Sequence, residues 1–388
     1  MSHLRPVMCV VGARPNFMKM APILRAMAAH IPSLPTLLVH TGQHYDKDMS
    51  SQLFDDLRLP HPNINLDVGS GTHAVQTAEV MRRFEPVVEV HHPSCVVVVG
   101  DVNSTLACAL VAVKKKIAVV HIEAGLRSDD RSMPEEINRL LTDQISDRLY
   151  TTERTSEANL VREGIASSKV FFAGNVMIDS LFFGRLSARS AVDTLASYRC
   201  NTTIVSQPCG YGVVTMHRPS NVDHPQALRD LLGVLGEVAA HLPLVFALHP
   251  RTRCNIERFG LMHLLDPARM VLLPPLGYLD MLGLMTEATV VLTDSGGLQE
   301  ETTALGVPCL TLRDNTERPI TVTQGTNTLV GCNRDAILGA VMTILKGQGK
   351  RGRLPELWDG HAAQRITADL YAWLMHRRAQ DIIQTLAA

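Results

Sequence analysis

Short apolar runs recur along this chain, each followed by a glycine or polar turn and then by a helical stretch. Residues 7–11, 36–40, 95–100, 117–122 and 169–173 are such runs. The pattern breaks over 174–208, where a helix-like segment gives way to a looser order of Ser, Thr, Cys, Gln and Pro. It restarts at 211–216, 244–248, 270–273, 289–293 and 308–312. Runs that are apolar without alternation must be covered on both faces, which is the condition of a parallel sheet flanked by helices. With 388 residues the chain exceeds one ordinary core. An α/β protein of two Rossmann-like domains in tandem is therefore predicted, the first over 1–176 and the second over 177–363. The amphipathic, aromatic tail at 364–388 is expected to pack back on the first domain or across both.

Ligands of such sheets bind outside the carboxyl ends of the strands. In the first half these ends carry Gly12-Ala13-Arg14-Pro15-Asn16-Phe17-Met18-Lys19, then His40 to Tyr45 with Gln43 and His44, then Gly100-Asp101-Val102-Asn103-Ser104, then His121-Ile122-Glu123-Ala124-Gly125-Leu126-Arg127. In the second half they carry Met216-His217-Arg218-Pro219-Ser220-Asn221, His249-Pro250-Arg251, Pro275-Leu276-Gly277-Tyr278 and Asp294-Ser295-Gly296-Gly297-Leu298-Gln299-Glu300-Glu301. The last of these puts a glycine turn between a strand and a helix predicted from Gly296 to Leu305. Backbone N–H groups and the helix dipole there suit an anion, with Glu300 and Glu301 placed to accept from sugar hydroxyls. A plain strand-to-helix turn is the competing reading. Arg14 and Lys19 open a helix where cations are unfavourable without an anion to face. A cleft between the domains, with carboxylates on one side and anion binders on the other, is the economical expectation.

Asp101 and Glu123 each close an apolar strand, a setting that raises a carboxylate's pKa unless it is paired. Both are candidate proton carriers. The alternative for Asp101 is an N-cap of a helix starting at Asn103. Glu135 and Glu136 follow Pro134 at a predicted helix start, where acids contribute about 0.3 to 1 kcal/mol without any function. Arg127, Arg131 and Arg139 are open to simple pairing with nearby acids. His217 ends a buried strand beside Arg218, and its only bland role is that of a satisfied interior imidazole.

A net charge of -1, with no charged run longer than Lys114-Lys115-Lys116, argues against nucleic-acid or membrane-surface partners. No apolar stretch reaches the roughly 20 residues a bilayer requires, and the N-terminus lacks a signal-peptide profile. A soluble, cytoplasmic chain is the expectation. Cys9, Cys95 and Cys309 sit inside strand-like runs as small hydrophobes, and no Cys or His spacing completes a metal set.

Taken in order, the Gly12 to Lys19 segment, His40-Thr41-Gly42-Gln43-His44, Gly100-Asp101, the His121 to Arg127 segment, Pro134-Glu135-Glu136-Ile137-Asn138-Arg139, His217-Arg218 and the Asp294 to Glu301 segment resemble the non-hydrolysing UDP-N-acetylglucosamine 2-epimerases. The resemblance extends over 12–318. It implies the glycosyltransferase-B architecture, a nucleotide held mainly by the second domain, a homodimer, and interconversion of UDP-GlcNAc and UDP-ManNAc without metal or cofactor. It further implies that UDP leaves C1 as the proton leaves C2, giving 2-acetamidoglucal, with re-addition after protonation on the other face. Asp101, Glu123 and Glu136 would be the acid/base groups and His217 a donor to the leaving group. Arg14, Lys19, His44, Arg218, Leu276, Ser295, Gly296 and Gly297 would bind substrate, Glu300 the ribose, and Arg318 the sugar. The motif His217-Arg218-Pro219-Ser220-Asn221 departs from the Arg-Glu-Asn that many members carry after the first His-Arg. An epimerase of a related UDP-HexNAc such as the 2,3-diacetamido uronic acid, a glycosyltransferase of the same architecture and a non-catalytic UDP-sugar sensor are the alternatives. A polysaccharide-precursor setting is the family's usual one.

Overall fold

The computed structural model describes residues 5–42 and 54–387. The chain forms two compact units, Met1–Ser180 with Glu356–Ala388 and Leu181–Pro355.

The first unit holds a seven-stranded sheet among the described residues: β1 (Val7–Val11), β2 (Thr36–His40), β3 (Ile64–Asn65), β4 (Cys95–Val99), β5 (Ala118–Ala124), β6 (Arg148–Thr151) and β7 (Val170–Phe172). Their order is β3-β2-β1-β4-β5-β6-β7, and every pairing is parallel. All five residues of β1 and of β4 are buried, as strands covered on both faces require. One face packs Met8, Val10, Val96 and Val98 under Phe84, Val88, Ala107 and Ala112 of the helices His73–His91 and Asn103–Lys114. The predicted strands at 7–11, 36–40, 95–100, 117–122 and 169–173 all form, whereas β3 and β6 were not foreseen.

The second unit repeats the plan with β8 (Gly212–Thr215), β9 (Leu244–Ala247), β10 (Met270–Leu273), β11 (Val290–Thr293), β12 (Cys309–Thr311) and β13 (Asn327–Leu329), in the order β10-β9-β8-β11-β12-β13 and again parallel throughout. Alternate residues feed two cores. Val214, Phe246, Leu292 and Leu310 face one side, and Val213, Val245 and Val291 the other. In both sheets the strand order reverses beside the first strand, between β1 and β4 and between β8 and β11. Those are the positions where doubly wound sheets open for ligands.

The tail helix Ala362–Ala387 belongs to the first unit. It buries Ile366, Leu370 and Leu374 and packs on the helix Arg14–Ala29. Asp369 takes Arg148 at 2.6 Å and the Tyr150 hydroxyl at 2.8 Å, and the Trp358 indole donates to the Thr152 carbonyl at 3.0 Å. Asp179 accepts the Ala362 and Ala363 N–H groups at 3.2 and 2.8 Å, capping the helix from a distant segment. Burial raises the Asp179 carboxyl to about 6, against the opposing pull of those N–H groups and of Arg365. The folded state therefore binds an extra proton between the ordinary value of 3.8 and about 6, so this group's contribution to stability falls as pH rises through that window. Asp179→Asn is expected to flatten that part of the stability curve. Melts at fixed ionic strength from about pH 4 to about pH 7 check it, and parallel curves for the two proteins would contradict the assignment.

Candidate active site

In the first unit the glycine turn after β1 is closed by Asn16. Its Oδ1 accepts the Gly12 and Ala13 N–H groups, both at 3.1 Å, and its Nδ2 donates to the Val99 carbonyl at 2.9 Å. The side chain thus ties the end of β1 to the end of β4. Gly12 has no alternative, because a Cβ there would lie 2.4 Å from Ser104 Oγ. One turn on, Lys19 reaches Glu123 at 2.6 Å, with both residues buried. A Cβ on Gly100 would lie 3.2 Å from the Lys19 ammonium, so this pair lies against Gly100, the residue before Asp101. Arg14, the first residue of its helix, is exposed.

Asp101 is not the helix cap. Val102 holds that position with no side-chain bond, and the Asp101 carboxylate instead takes Arg139 Nη1. The same guanidinium donates to Glu136 Oε2 through Nη2 at 2.7 Å and Nε at 3.1 Å. Glu136 also accepts the Ser128 N–H and hydroxyl, both at 3.0 Å, and the Asp129 N–H at 3.1 Å. Burial pushes the Glu136 carboxyl up, but the Ser128 N–H and Arg139 outweigh it and hold it below the ordinary value. Asp101 and Glu123 are not unpaired strand-end acids, since each carboxylate faces a cation. Lys19 with Glu123, and Arg139 with Asp101 and Glu136, thus form two ion-paired groups beside Gly100 and Asp101 at the carboxyl ends of β4 and β5.

In the second unit the centre is Asp294, fully buried at the end of β11. It accepts the His217 N–H at 2.9 Å, the Arg218 N–H at 2.9 Å and Asn221 Nδ2 at 3.1 Å, and it lies 2.9 Å from His217 Nδ1. Burial raises this carboxyl, but the His217 ring and these N–H groups bring it below its ordinary value. The contact orients the ring, with Nδ1 turned to the carboxylate and Nε2 on the opposite edge.

The helix after β11 runs from Gly296 to Leu305, as predicted, with Ser295 as its cap. A Cβ on Gly296 would lie 2.5 Å from Glu317 Oε1, so the glycine is needed for an internal carboxylate's approach as well as for any ligand's. Glu317, which the sequence reading passed over, lies 2.9 Å from Arg313 and 3.5 Å from Arg218. A glutamate flanked by Arg313 and Arg318 just after a strand was the available signal. Burial pushes Glu317 up, yet Arg318, Arg313 and Arg218 bring it down to about 2. Glu300 and Arg318, expected to take ribose and sugar, lie 3.0 Å apart and are both buried. Leu276 packs in the apolar core with Leu273 and Leu284, leaving only its backbone to reach a ligand. Gly297 lies in the first turn of the helix. His44 lies outside the described residues.

A cavity of about 720 Å³ lies elsewhere in the first unit, lined by Arg5, His92, Lys115, Lys116, Arg377 and Arg378 among others. None of the cluster residues borders it. Lys115 stands at a helix C-terminus there, with its ammonium paired to Glu85 and Glu89, both at 2.6 Å. All eight cysteines are free, and no group of three metal-ligating side chains occurs among the described residues.

Because Glu317 is held low, its contribution to stability is present above its ordinary value of 4.5 and is lost as pH falls towards about 2. Glu317→Gln is expected to lower the melting temperature at neutral pH and to shrink the loss below about pH 4.5. An unchanged acid limb would refute that role.

The sequence model of the UDP-N-acetylglucosamine 2-epimerase family matches residues 27–371. The UDP-N-acetylglucosamine 2-epimerase of Methanocaldococcus jannaschii is 40% identical over 360 residues, covering 92% of this chain and 96% of that one. A UDP-2,3-diacetamido-2,3-dideoxy-D-glucuronate 2-epimerase of Pseudomonas aeruginosa is 41% identical over 342 residues, covering 87% and 92%. The crystal structure of the Methanocaldococcus jannaschii UDP-GlcNAc 2-epimerase in complex with UDP-GlcNAc and UDP superposes with a TM-score of 0.85 at 39% identity, covering 95% of this chain and 99% of that one. By the family model's match over most of its length and by these identities, the chain, with its two parallel sheets, belongs to the UDP-N-acetylglucosamine 2-epimerase family.

Proposed function

We propose that this protein interconverts UDP-GlcNAc and UDP-ManNAc by eliminating UDP and adding it back. The observation that carries the reading is the pair of cation-held carboxylates, Glu123 with Lys19 and Asp101 with Arg139, beside Gly100 at the switch point of a sheet in this family.

The C2 proton of the sugar is not acidic enough for simple removal. As a carboxylate takes it, the C2–H electrons form the C1=C2 bond and the C1–O bond breaks, with UDP taking that electron pair. Protonation of C2 from the other face and return of UDP to C1 give the epimer. Asp101 and Glu123 are the acid and base of these steps. Glu136, with its oxygens already accepting five hydrogen bonds, is the weaker proton carrier and serves to hold Arg139 and the 128–129 loop.

In the second unit His217, oriented by Asp294, gives a proton through Nε2 to the departing diphosphate. Ser295, Gly296 and Gly297 offer backbone N–H groups at a helix start, and Arg218 adds charge. Arg14 and Lys19 are further cations for the diphosphate or sugar, Glu300 takes the ribose hydroxyls and Arg318 the sugar. A homodimer, a cytoplasmic setting and a role in supplying polysaccharide precursors belong to the same proposal.

A second reading is an epimerase of UDP-2,3-diacetamido uronic acid, which the 41% identity to the Pseudomonas aeruginosa enzyme favours. Incubation with UDP-GlcNAc in heavy water, followed at C2 by proton NMR, separates the readings. UDP-ManNAc carrying deuterium at C2 is expected. Asp101→Asn and Glu123→Gln should each lower turnover by about 100-fold or more while UDP binding by titration calorimetry persists. Turnover of the diacetamido uronate alone would select the second reading, and inertness toward both would leave a glycosyltransferase or a sensor.

A further inference from the structure

The backbone of Glu123 occupies the left-handed region, at φ +69°, although it carries a side chain and lies inside a strand. The β5–β6 register slips there, between Ile122 and Ala124. Such a conformation persists only where its surroundings over-determine it, and a slip of this kind re-aims a side chain. Two fully buried residues, neither among the acid/base candidates, supply that constraint. Asp143 Oδ1 meets His121 Nδ1 at 2.6 Å, and Asp143 Oδ2 accepts the Gly125 N–H at 3.1 Å. One carboxylate thus clamps the chain two residues before and two residues after Glu123. His121 Nε2 faces the Gly100 carbonyl at 2.9 Å, so the same imidazole fixes the residue that precedes Asp101.

Both ring nitrogens of His121 lie within hydrogen-bond distance of oxygens, those of the Asp143 carboxylate and the Gly100 carbonyl. Arg127 Nη2 completes the shell of Asp143 at 2.7 Å and continues to Glu163 at 2.6 Å. His121, Asp143, Arg127 and Glu163 thus form one hydrogen-bonded network, buried at the first three and partly exposed at Glu163, a more demanding arrangement than packing a strand end requires. Asp143 also stands on the helix Pro134–Ile145, which carries Glu136 and Arg139 at its start. The network joins the elements that bear Asp101, Glu123 and Arg139.

We infer that His121 and Asp143 are positioning residues, which hold Glu123 in its left-handed conformation and set its carboxylate against Lys19. The inference rests on the reading of Glu123 as an acid/base group. His121→Gln and Asp143→Asn keep the volume but replace at least one acceptor–donor match with a mismatch. Each is expected to lower kcat about 10- to 100-fold in folded protein, with KM for the UDP-sugar within about threefold of wild type. Because the two act as one unit, the double variant should be no slower than the slower single.

A purely structural role would lower the melting temperature and leave kcat per folded molecule unchanged, and that result overturns the inference. If Asp143→Asn does not fold, Arg127→Lys provides the gentler test. It keeps a cation but loses the fork to Asp143 and Glu163, and it should reduce kcat by about three- to tenfold without moving KM. An unchanged kcat overturns the inference here too. Glu123→Gln retaining full turnover would instead sink the acid/base reading. Should the wild type turn over neither UDP-sugar, the crystal structure of Asp143→Asn still decides the positioning claim. Glu123 is expected to leave positive φ, and an unmoved backbone overturns it.

Discussion

Parallel strands covered on both faces leave little room for charge along their length, and in both units of this protein buried carboxylates gather at the carboxyl end of the sheet. A carboxylate there is withdrawn from water without being inside the core, so its cost has to be met by a partner. Glu123 has Lys19, Asp101 and Glu136 share Arg139, Asp143 has His121 and Arg127, and Glu317 lies among arginines. These pairings set where the side chains point. They also bind neighbouring strand ends to one another, as Asn16 does between β1 and β4 and Asp294 between β8 and β11.

The two sheets were legible because their central strands are continuous apolar runs ended by glycine or a polar residue. The helix at Gly296–Leu305 and the one opened by Pro134 were legible from their start signals. The strands that escaped notice are short and carry polar residues. Arg148 opens β6, and its guanidinium is satisfied by Asp369, 221 residues further on. No local pattern can announce a partner at that separation. Asn65 and Asn327 likewise interrupt β3 and β13, the edge strands of their sheets.

For the candidate site, residue types were readable and pair identities were not. The sequence puts Asp101 next to a helix start, with an N-cap as the local alternative to a proton carrier, yet Arg139 from another helix claims the carboxylate. It places Glu300 and Arg318 as separate ligand contacts, whereas they face each other. It supplies a reason for Gly296 in terms of an incoming anion, while Glu317 already makes the close approach. In each case the deciding group arrives from a different segment, and charge attraction in a partly dry setting outweighs local preference.

The tail that caps on Asp179 and seats Trp358, Ile366, Leu370 and Leu374 returns to the unit with which the chain began, after the whole of the second unit has been traversed. During synthesis the second unit is therefore complete in sequence before the first has its last layer. The helix Arg14–Ala29 and the polar ends of β6 must wait for partners more than 200 residues downstream. Vectorial translation thus favours closure of the inner, contiguous unit first, with the discontinuous one sealed by the final helix.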